Sequence, residues 1–310
     1  MKQNPNILVT GSKGQLGRSI RHISPLSNAQ ITFVYQSSSE LDITDQEGLL
    51  EHFSKNNYDY CINCAAYTNV DAAESNVEKT DKVNVHGIKN LTLACKKFSV
   101  TLIQISTDFV FDGSKSVPYT EMDTPDPVGI YGRSKLLGEK VIAEHLTDYY
   151  IIRTSWLYSQ FGHNFMRSMV RLGQERDTLS VVFDQVGTPT YAIDLAESIV
   201  QIILRKDLDY GIYHYSNEGV ASWYDFAKAI FELMKIDIDL KPIRSSAYPL
   251  PAKRPSYSVL DKEKIKENLQ IRIPHWRDSL KQAIMALGTP MNNKNSHTES
   301  ILIKDSSSMS

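Results

Sequence analysis

Cysteine is scarce in this chain, with only Cys61, Cys64 and Cys95 in 310 residues, too few for a disulfide framework. Cys61 and Cys64 have C-x-x-C spacing, but they fall in YDYCINCAA, a buried-strand pattern in which residues three apart face opposite sides. No second Cys or His pair follows at ligand spacing, so both are read as strand packing residues rather than a redox or metal pair. The eight histidines form no H-E-x-x-H or comparable cluster, and no metal site is expected. No apolar run reaches the ~18 residues of a membrane-spanning helix, and the start, MKQNPNILVTG, has no signal-peptide core. A cytoplasmic protein without membrane contact is the expectation. Excess positive charge is missing too: 34 Lys+Arg stand against 36 Asp+Glu, for a net charge of -2, which offers no general surface for nucleic acid. Internal repeats are absent. What is present is ordinary globular material, 41% hydrophobic and 23% charged, long enough for two domains or one large α/β domain with an appendage.

Residues 7–10 form a short apolar run ending in GSKGQLG, and QLGRSIRHI after it has helical periodicity up to Pro25. Gly11, Gly14 and Gly17 therefore lie between a strand and a helix at G-x-x-G-x-x-G spacing. The first glycine permits a tight turn, the second lets backbone N–H groups approach a pyrophosphate, and the third lets helix pack on strand. The phosphate then faces the positive end of the helix, which points to dinucleotide binding. Ribose selectivity is usually set just past the second strand, ITFVY, by an acidic residue for NAD or a basic one for NADP. Gln36, Ser37, Ser38 and Ser39 are neither, and Glu40 arrives late, so the residues themselves leave the cofactor preference open.

Strand and helix patterns go on alternating: DYCINCAAY, a helix over 77–98, TLIQIST, a helix ending near His145, and DYYIIRTSW. This predicts an α/β fold, a Rossmann-type doubly wound parallel sheet, with ligands at the carboxyl ends of its strands. After Trp156 the pattern loosens into a helix over 164–175, a strand LSVVF, a helix AIDLAESIVQIILRK and a strand GIYHYSN. SWYDFAKAIFELMK reads as an amphipathic helix with Ser222 as N-cap. Residues 241–255 are Pro-rich and read as irregular backbone. The expected division is a cofactor-binding domain over 1–155, with later returns near 190–217, and a smaller C-terminal substrate-binding lobe over 156–288. The polar stretch 289–310 reads as a disordered tail.

Tyr131 precedes Lys135 by four residues inside PVGIYGRSKLLGEK, which puts the phenol and the ammonium on one helical face. A nearby ammonium is expected to stabilise the phenolate and lower the tyrosine pKa from its usual ~10, making it a usable proton donor for carbonyl reduction.

GSKGQLG, NCAAYTNVDAAES, ISTDFVFDG and YGRSK together resemble the extended short-chain dehydrogenase/reductases. More narrowly, LDITD, the run PYTEMDTPDPVGIYGRSKLLGEK, RTSWLY, NFMRSMVRL, DQVGTPTY, SWYDFA and AKRPSYSVLD are similar to the dTDP-4-dehydrorhamnose reductase family over residues 6–287. The resemblance implies reduction of a 4-keto nucleotide sugar, with NADPH as hydride donor and NADH as the alternative. It implies Tyr131 as proton donor, Lys135 as the group that tunes it and binds the nicotinamide ribose, and Thr107 as a hydrogen bond to the reacting sugar oxygen. Gly14, Gln15 and Leu16 are expected at the pyrophosphate, Asp42 and Ile43 at the adenine side, and Ala66, Tyr67 and Thr68 along the cofactor's middle. Asn84 in VNVHG is a further cofactor-side position that would organise the active-site helix.

For the substrate, the resemblance implies Val70, Thr107, Asp108 and Trp156, with Arg254 as a guanidinium for the nucleotide diphosphate and Asn164 and Gln185 in the same pocket. Two departures stand out. Phe109 stands where relatives commonly have tyrosine, and Ser19 and Ile193 stand where some relatives place magnesium-binding carboxylates at a dimer interface. No metal and no such dimer are therefore expected; a monomer or weak homodimer is. Fold and hydride chemistry do not fix the substrate. A reductase or epimerase of another nucleotide sugar stays open, as does a non-catalytic regulatory subunit of the methionine adenosyltransferase type.

Overall fold

The computed structural model describes residues 4–25, 31–205 and 207–288. The expected tail over 289–310 lies outside the described residues. Five strands, β1 (Asn6–Thr10), β2 (Thr32–Tyr35), β3 (Tyr60–Asn63), β4 (Thr101–Thr107) and β5 (Tyr149–Thr154), join the strand Gly211–His214 in one sheet. Its order is Gly211–His214, β5, β4, β3, β1, β2, and every pairing is parallel. The order reverses direction between β1 and β3, and such a switch point opens a crevice at the carboxyl ends of the strands.

Side-chain alternation along these strands builds two cores. Ile7, Val9, Ile62, Ile103, Tyr150 and Ile152 pack on one face, against Leu16, Ile20 and Ile23 of helix α1 (Gln15–Ile23) and against Leu195, Ile199 and Ile203. Leu8, Cys61, Leu102 and Ile151 pack on the other, against Leu49, Phe53, Leu91 and Ile142. Cys61 and Cys64 fall on opposite faces, as the strand period requires. The helix Ala192–Leu204 and the strand Gly211–His214 bring the chain back to this layer after it has left it.

The helix over 77–98 is interrupted. Val77–Asp81 and Ile88–Phe98 are α-helical, and Lys82–Gly87 between them is a π-helical turn. A π-turn widens the helix locally, and here it carries the buried Asn84.

A third core, around Tyr158, Met166, Phe226, Ile230, Trp276 and Leu280, forms the smaller lobe. Its helix Trp223–Met234 starts with a capping box in which Ser222 and Asp225 satisfy each other's backbone N–H. The stretch 241–255 is less irregular than expected. Asp239–Ile243 pairs in parallel with Thr178–Val182, and Pro242 is tolerated because the ladder has only two strands and each is an edge. Among the described residues no helix is long and apolar enough to cross a membrane.

Candidate active site

A cleft of about 850 Å³ runs over the carboxyl ends of β1, β3, β4 and β5. At one end lies the glycine turn. Gly11 has φ +61°, and a Cβ there would sit 2.6 Å from Ala65 N, so only glycine lets β1 turn this close to the end of β3. Gly17 packs as closely on Ser12. Helix α1 has Gly14 as N-cap with no side-chain cap, which leaves its first N–H groups directed at the cleft beside Lys13, Gln15 and Leu16. An uncapped helix start, a glycine turn without room for a side chain and a long adjoining crevice fit a dinucleotide pyrophosphate.

At the middle of the cleft lie Ala66, Thr68, Val70, Thr107, Asp108, Phe109, Tyr131 and Lys135. The Tyr131 helix, Ile130–His145, crosses tightly over the turn after β4: a Cβ on Gly132 would fall inside the van der Waals envelope of the Phe109 carbonyl. This contact sets the Tyr131 phenol beside the Thr107 hydroxyl, near enough for the hydroxyl to act on its pKa. The Phe109 ring meets Tyr131 edge-on at 5.9 Å.

The expected lowering of the Tyr131 pKa is not found. Burial pushes the phenol up to about 12, the Thr107 hydroxyl opposes this only in part, and the Asp108 carboxyl adds to it. Lys135 moves instead: burial brings its ammonium down to about 8 against the pull of Glu139, and its Nζ donates to the Ile105 carbonyl at 2.6 Å. Desolvation outweighs the ammonium's influence because both groups lie in protein.

Behind Lys135, Glu139 accepts from the Ser106 hydroxyl and from Arg153, whose Nη2 is 2.7 Å away. Arg153 also reaches His214 Nε2 at 3.5 Å, and His214 Nδ1 lies 3.0 Å from the Tyr119 carbonyl oxygen. Glu139 and Arg153 were not singled out in the sequence. The i+4 spacing of Glu139 from Lys135 was the available signal.

The far wall carries Trp156 and Trp223, stacked at 3.6 Å with 6° between their planes. Trp156 has φ +45°, a left-handed conformation that a bulky residue holds only where its surroundings impose it. The sequence marks Trp223 only as part of an amphipathic helix. Arg254 also lines this wall, held bidentate by Asp71 with Nη2 to Oδ2 at 2.8 Å.

Several expected residues lie elsewhere. Asn84 is behind the cleft: its Oδ1 accepts from Tyr67 N, and its Nδ2 donates to Tyr67 O and Ser134 Oγ. It positions the Tyr67 backbone and the Tyr131 helix, and no atom of its amide is left over for a ligand. The Tyr67 side chain is not on the lining, although Ala66 and Thr68 beside it are. Asp42 is exposed, with Oδ1 accepting from Thr44 N, and Ile43 is packed in the core at 3% exposure; neither lines the cleft. Asn164 caps the helix Phe165–Glu175 through Oδ1 and donates from Nδ2 to Gln15 Oε1, Ser159 O and Phe161 O, so it ties the loop to the glycine turn. Gln185 lies in an adjoining cavity of about 470 Å³, which shares Arg254 with the main cleft. Ser19 donates to the Gln15 carbonyl, and Ile193 packs between two cores.

A parallel sheet with a glycine turn at its switch point, and a Thr–Tyr–Lys group at the carboxyl end of its fourth strand, define a nucleotide-dependent oxidoreductase of the extended short-chain class. The sequence model of the family described as the RmlD substrate binding domain matches residues 5–288. A dTDP-4-dehydrorhamnose reductase from Aggregatibacter actinomycetemcomitans is 39% identical over 289 residues, 89% of this chain and 97% of that one. Two solved dTDP-4-dehydrorhamnose reductases superimpose with TM-scores of 0.87. One, from Clostridium acetobutylicum, is 40% identical and covers 91% of this chain and 99% of its own. The other, from Bacillus anthracis and in complex with NADP, is 35% identical with the same coverage. The chain belongs to the dTDP-4-dehydrorhamnose reductase family.

Proposed function

We propose that this enzyme reduces the 4-keto group of dTDP-4-dehydro-L-rhamnose to give dTDP-L-rhamnose, a donor for cell-surface polysaccharide, using NADPH with NADH as the alternative donor. The observation that carries the reading is the Thr107 hydroxyl set beside the Tyr131 phenol, with Lys135, in a cleft that begins at an uncapped helix start. The nicotinamide supplies a hydride when bound. Thr107 and Tyr131 hold the sugar's carbonyl oxygen, and Tyr131 gives it a proton as negative charge develops. A phenol raised to about 12 remains protonated at neutral pH, and an alkoxide is basic enough to take its proton. Lys135, mostly protonated below about 8, places a positive charge beside the reacting centre and holds the nicotinamide ribose.

Gly14, Gln15, Leu16, Ala66 and Thr68 hold the rest of the cofactor, with residues 1–155 and the return over 190–217 as its domain. Residues 156–288 supply most of the sugar nucleotide site. Trp156, backed by Trp223, offers a flat apolar face, Val70 lies on the same lining, and Arg254 offers a fork for the diphosphate. Gln185 in the adjoining cavity reaches the far end of the nucleotide. A regulatory subunit that only bound nucleotide would have no use for Thr107 and Tyr131 side by side on the cleft or for the desolvated Lys135.

The test is nicotinamide absorbance during incubation with dTDP-4-keto-6-deoxyhexulose made in place by the upstream dehydratase and epimerase, with NADPH and NADH in parallel. Consumption that depends on the epimerase and yields dTDP-L-rhamnose is expected. Cofactor binding without consumption would assign the cleft to another nucleotide sugar or to regulation.

A further inference from the structure

The Thr107 hydroxyl accepts from the Phe109 N–H at 3.2 Å and has two side-chain neighbours. It meets the Tyr131 phenol on one side and lies 3.1 Å from Asp108 Oδ1 on the other. Asp108 lines the cleft but is only 2% exposed, and its second oxygen, Oδ2, is buried without a hydrogen-bond partner. An ionised carboxylate with a bare, desolvated oxygen is costly, and a proton on it relieves the cost.

The groups facing Asp108 do not reverse this. The Thr107 hydroxyl comes from its own turn, Ser258 from the C-terminal lobe and the Tyr131 phenol from the Ile130–His145 helix. Of the cations on the same cleft, Lys13 stands at the glycine-turn end, the Lys135 ammonium donates to the Ile105 carbonyl and the Arg254 guanidinium is taken by Asp71.

We propose that Asp108 is the proton reservoir that restores Tyr131 after each turnover, delivering its proton through the Thr107 hydroxyl. The proposal rests on the reductase reading and adds a step to it. Tyr131 loses its proton to the sugar oxygen and becomes phenolate. Thr107 turns its hydroxyl hydrogen onto the phenolate and takes the Asp108 proton in exchange, a rotation open to any hydroxyl. The Tyr131 O–H is re-formed, Thr107 is unchanged and Asp108 is left as carboxylate. Water in the opened cleft then returns one proton to Asp108, so the cycle consumes the single proton that ketone reduction requires. Burial sets the Asp108 carboxyl at about 7, with the Ser258 and Thr107 hydroxyls opposing the rise, so a substantial fraction holds its proton at neutral pH.

Asp108→Asn keeps the shape and removes the proton. Single-turnover and steady-state reduction of dTDP-4-dehydro-L-rhamnose separate a reservoir from a scaffold, because Tyr131 begins the first turnover already protonated. The expected result is a ratio of steady-state kcat to single-turnover rate roughly 10-fold below that of wild type, a smaller loss than the ~100- to 10,000-fold of a general acid itself. Wild-type kcat falls as pH rises through the Asp108 ionisation, and the variant loses that limb. Equal loss in both regimes, or an unchanged kcat, overturns the proposal.

Infrared titration of wild type against Asp108→Asn reads the carboxylic-acid band without any substrate. An Asp108 that is ionised throughout the neutral range overturns the reservoir even if the substrate assignment itself fails.

Discussion

Glu139 stands one helical turn beyond Lys135 and is ion-paired with Arg153 at 2.7 Å, the Arg and Glu side chains being 2% and 4% exposed. The helix that carries Tyr131 and Lys135 toward the cleft is thus anchored to β5 through a charge pair sealed in the protein. Glu139→Gln leaves the Arg153 guanidinium buried without its counter-charge, and a loss of about 3–5 kcal/mol is expected in urea unfolding. Combining it with Arg153→Met should recover most of that loss, because neither charge is then stranded. An unchanged midpoint in the single variant would show that the pair does not hold the helix.

Tyr131→Phe removes the donated proton and keeps the ring against Phe109. Turnover should fall ~100- to 10,000-fold while NADPH titration stays within a few-fold of wild type. Full activity in this variant would remove Tyr131 from the chemistry.

Gly132→Ala adds one methyl group where the Phe109 carbonyl already lies. The Tyr131 helix must lift from the Thr107 turn, and a misplacement of about 1 Å at a reacting group costs on the order of 100-fold in rate. The expected signature is a loss of kcat of that order, larger than any rise in KM, with far-UV circular dichroism unchanged.

Lys135 imposes a pH dependence on stability whose sign follows from its lowered pKa. Between about 8 in the folded chain and ~10.4 in the unfolded one, the unfolded state binds more protons. Stability from this group therefore rises as pH climbs through that window, and the penalty for burying the charge is fully present below it. Urea midpoints across the alkaline range should show this slope in wild type and lack it in Lys135→Met.

Trp223 supports Trp156 by face-to-face stacking. Trp223→Leu removes an aromatic contact worth ~0.5–1.5 kcal/mol beyond its area and frees Trp156 to leave the wall. KM for the nucleotide sugar should rise about 3- to 10-fold with cofactor affinity unchanged. Equal weakening of both ligands would place the stack outside the sugar site.

The chain's local patterns were readable because they are short-range. Glycine spacing ahead of a helical period, β-strands whose neighbours alternate between two cores, and Tyr and Lys four apart on a helix all follow from backbone geometry within a few residues. These determined the parallel α/β fold, the switch-point crevice, and Gly14, Tyr131 and Lys135 as residues of the cleft, and the family motifs extended them to Thr107, Trp156 and Arg254.

Tertiary structure decided what depends on desolvation and on partners far apart in the chain. The pKa of Tyr131 rises because burial outweighs its neighbour. Asn164 has the chemistry of a ligand-binding amide, but Gln15, 149 residues away, and the carbonyls of its own loop occupy it. Ile43 is packed in a core that no local pattern outlines, and the Trp223 ring finds Trp156 only when the second lobe closes over the sheet. Spacing in a sequence places side chains on one face of an element; which of those faces meet, and how much water is left between them, is set by packing of the whole chain.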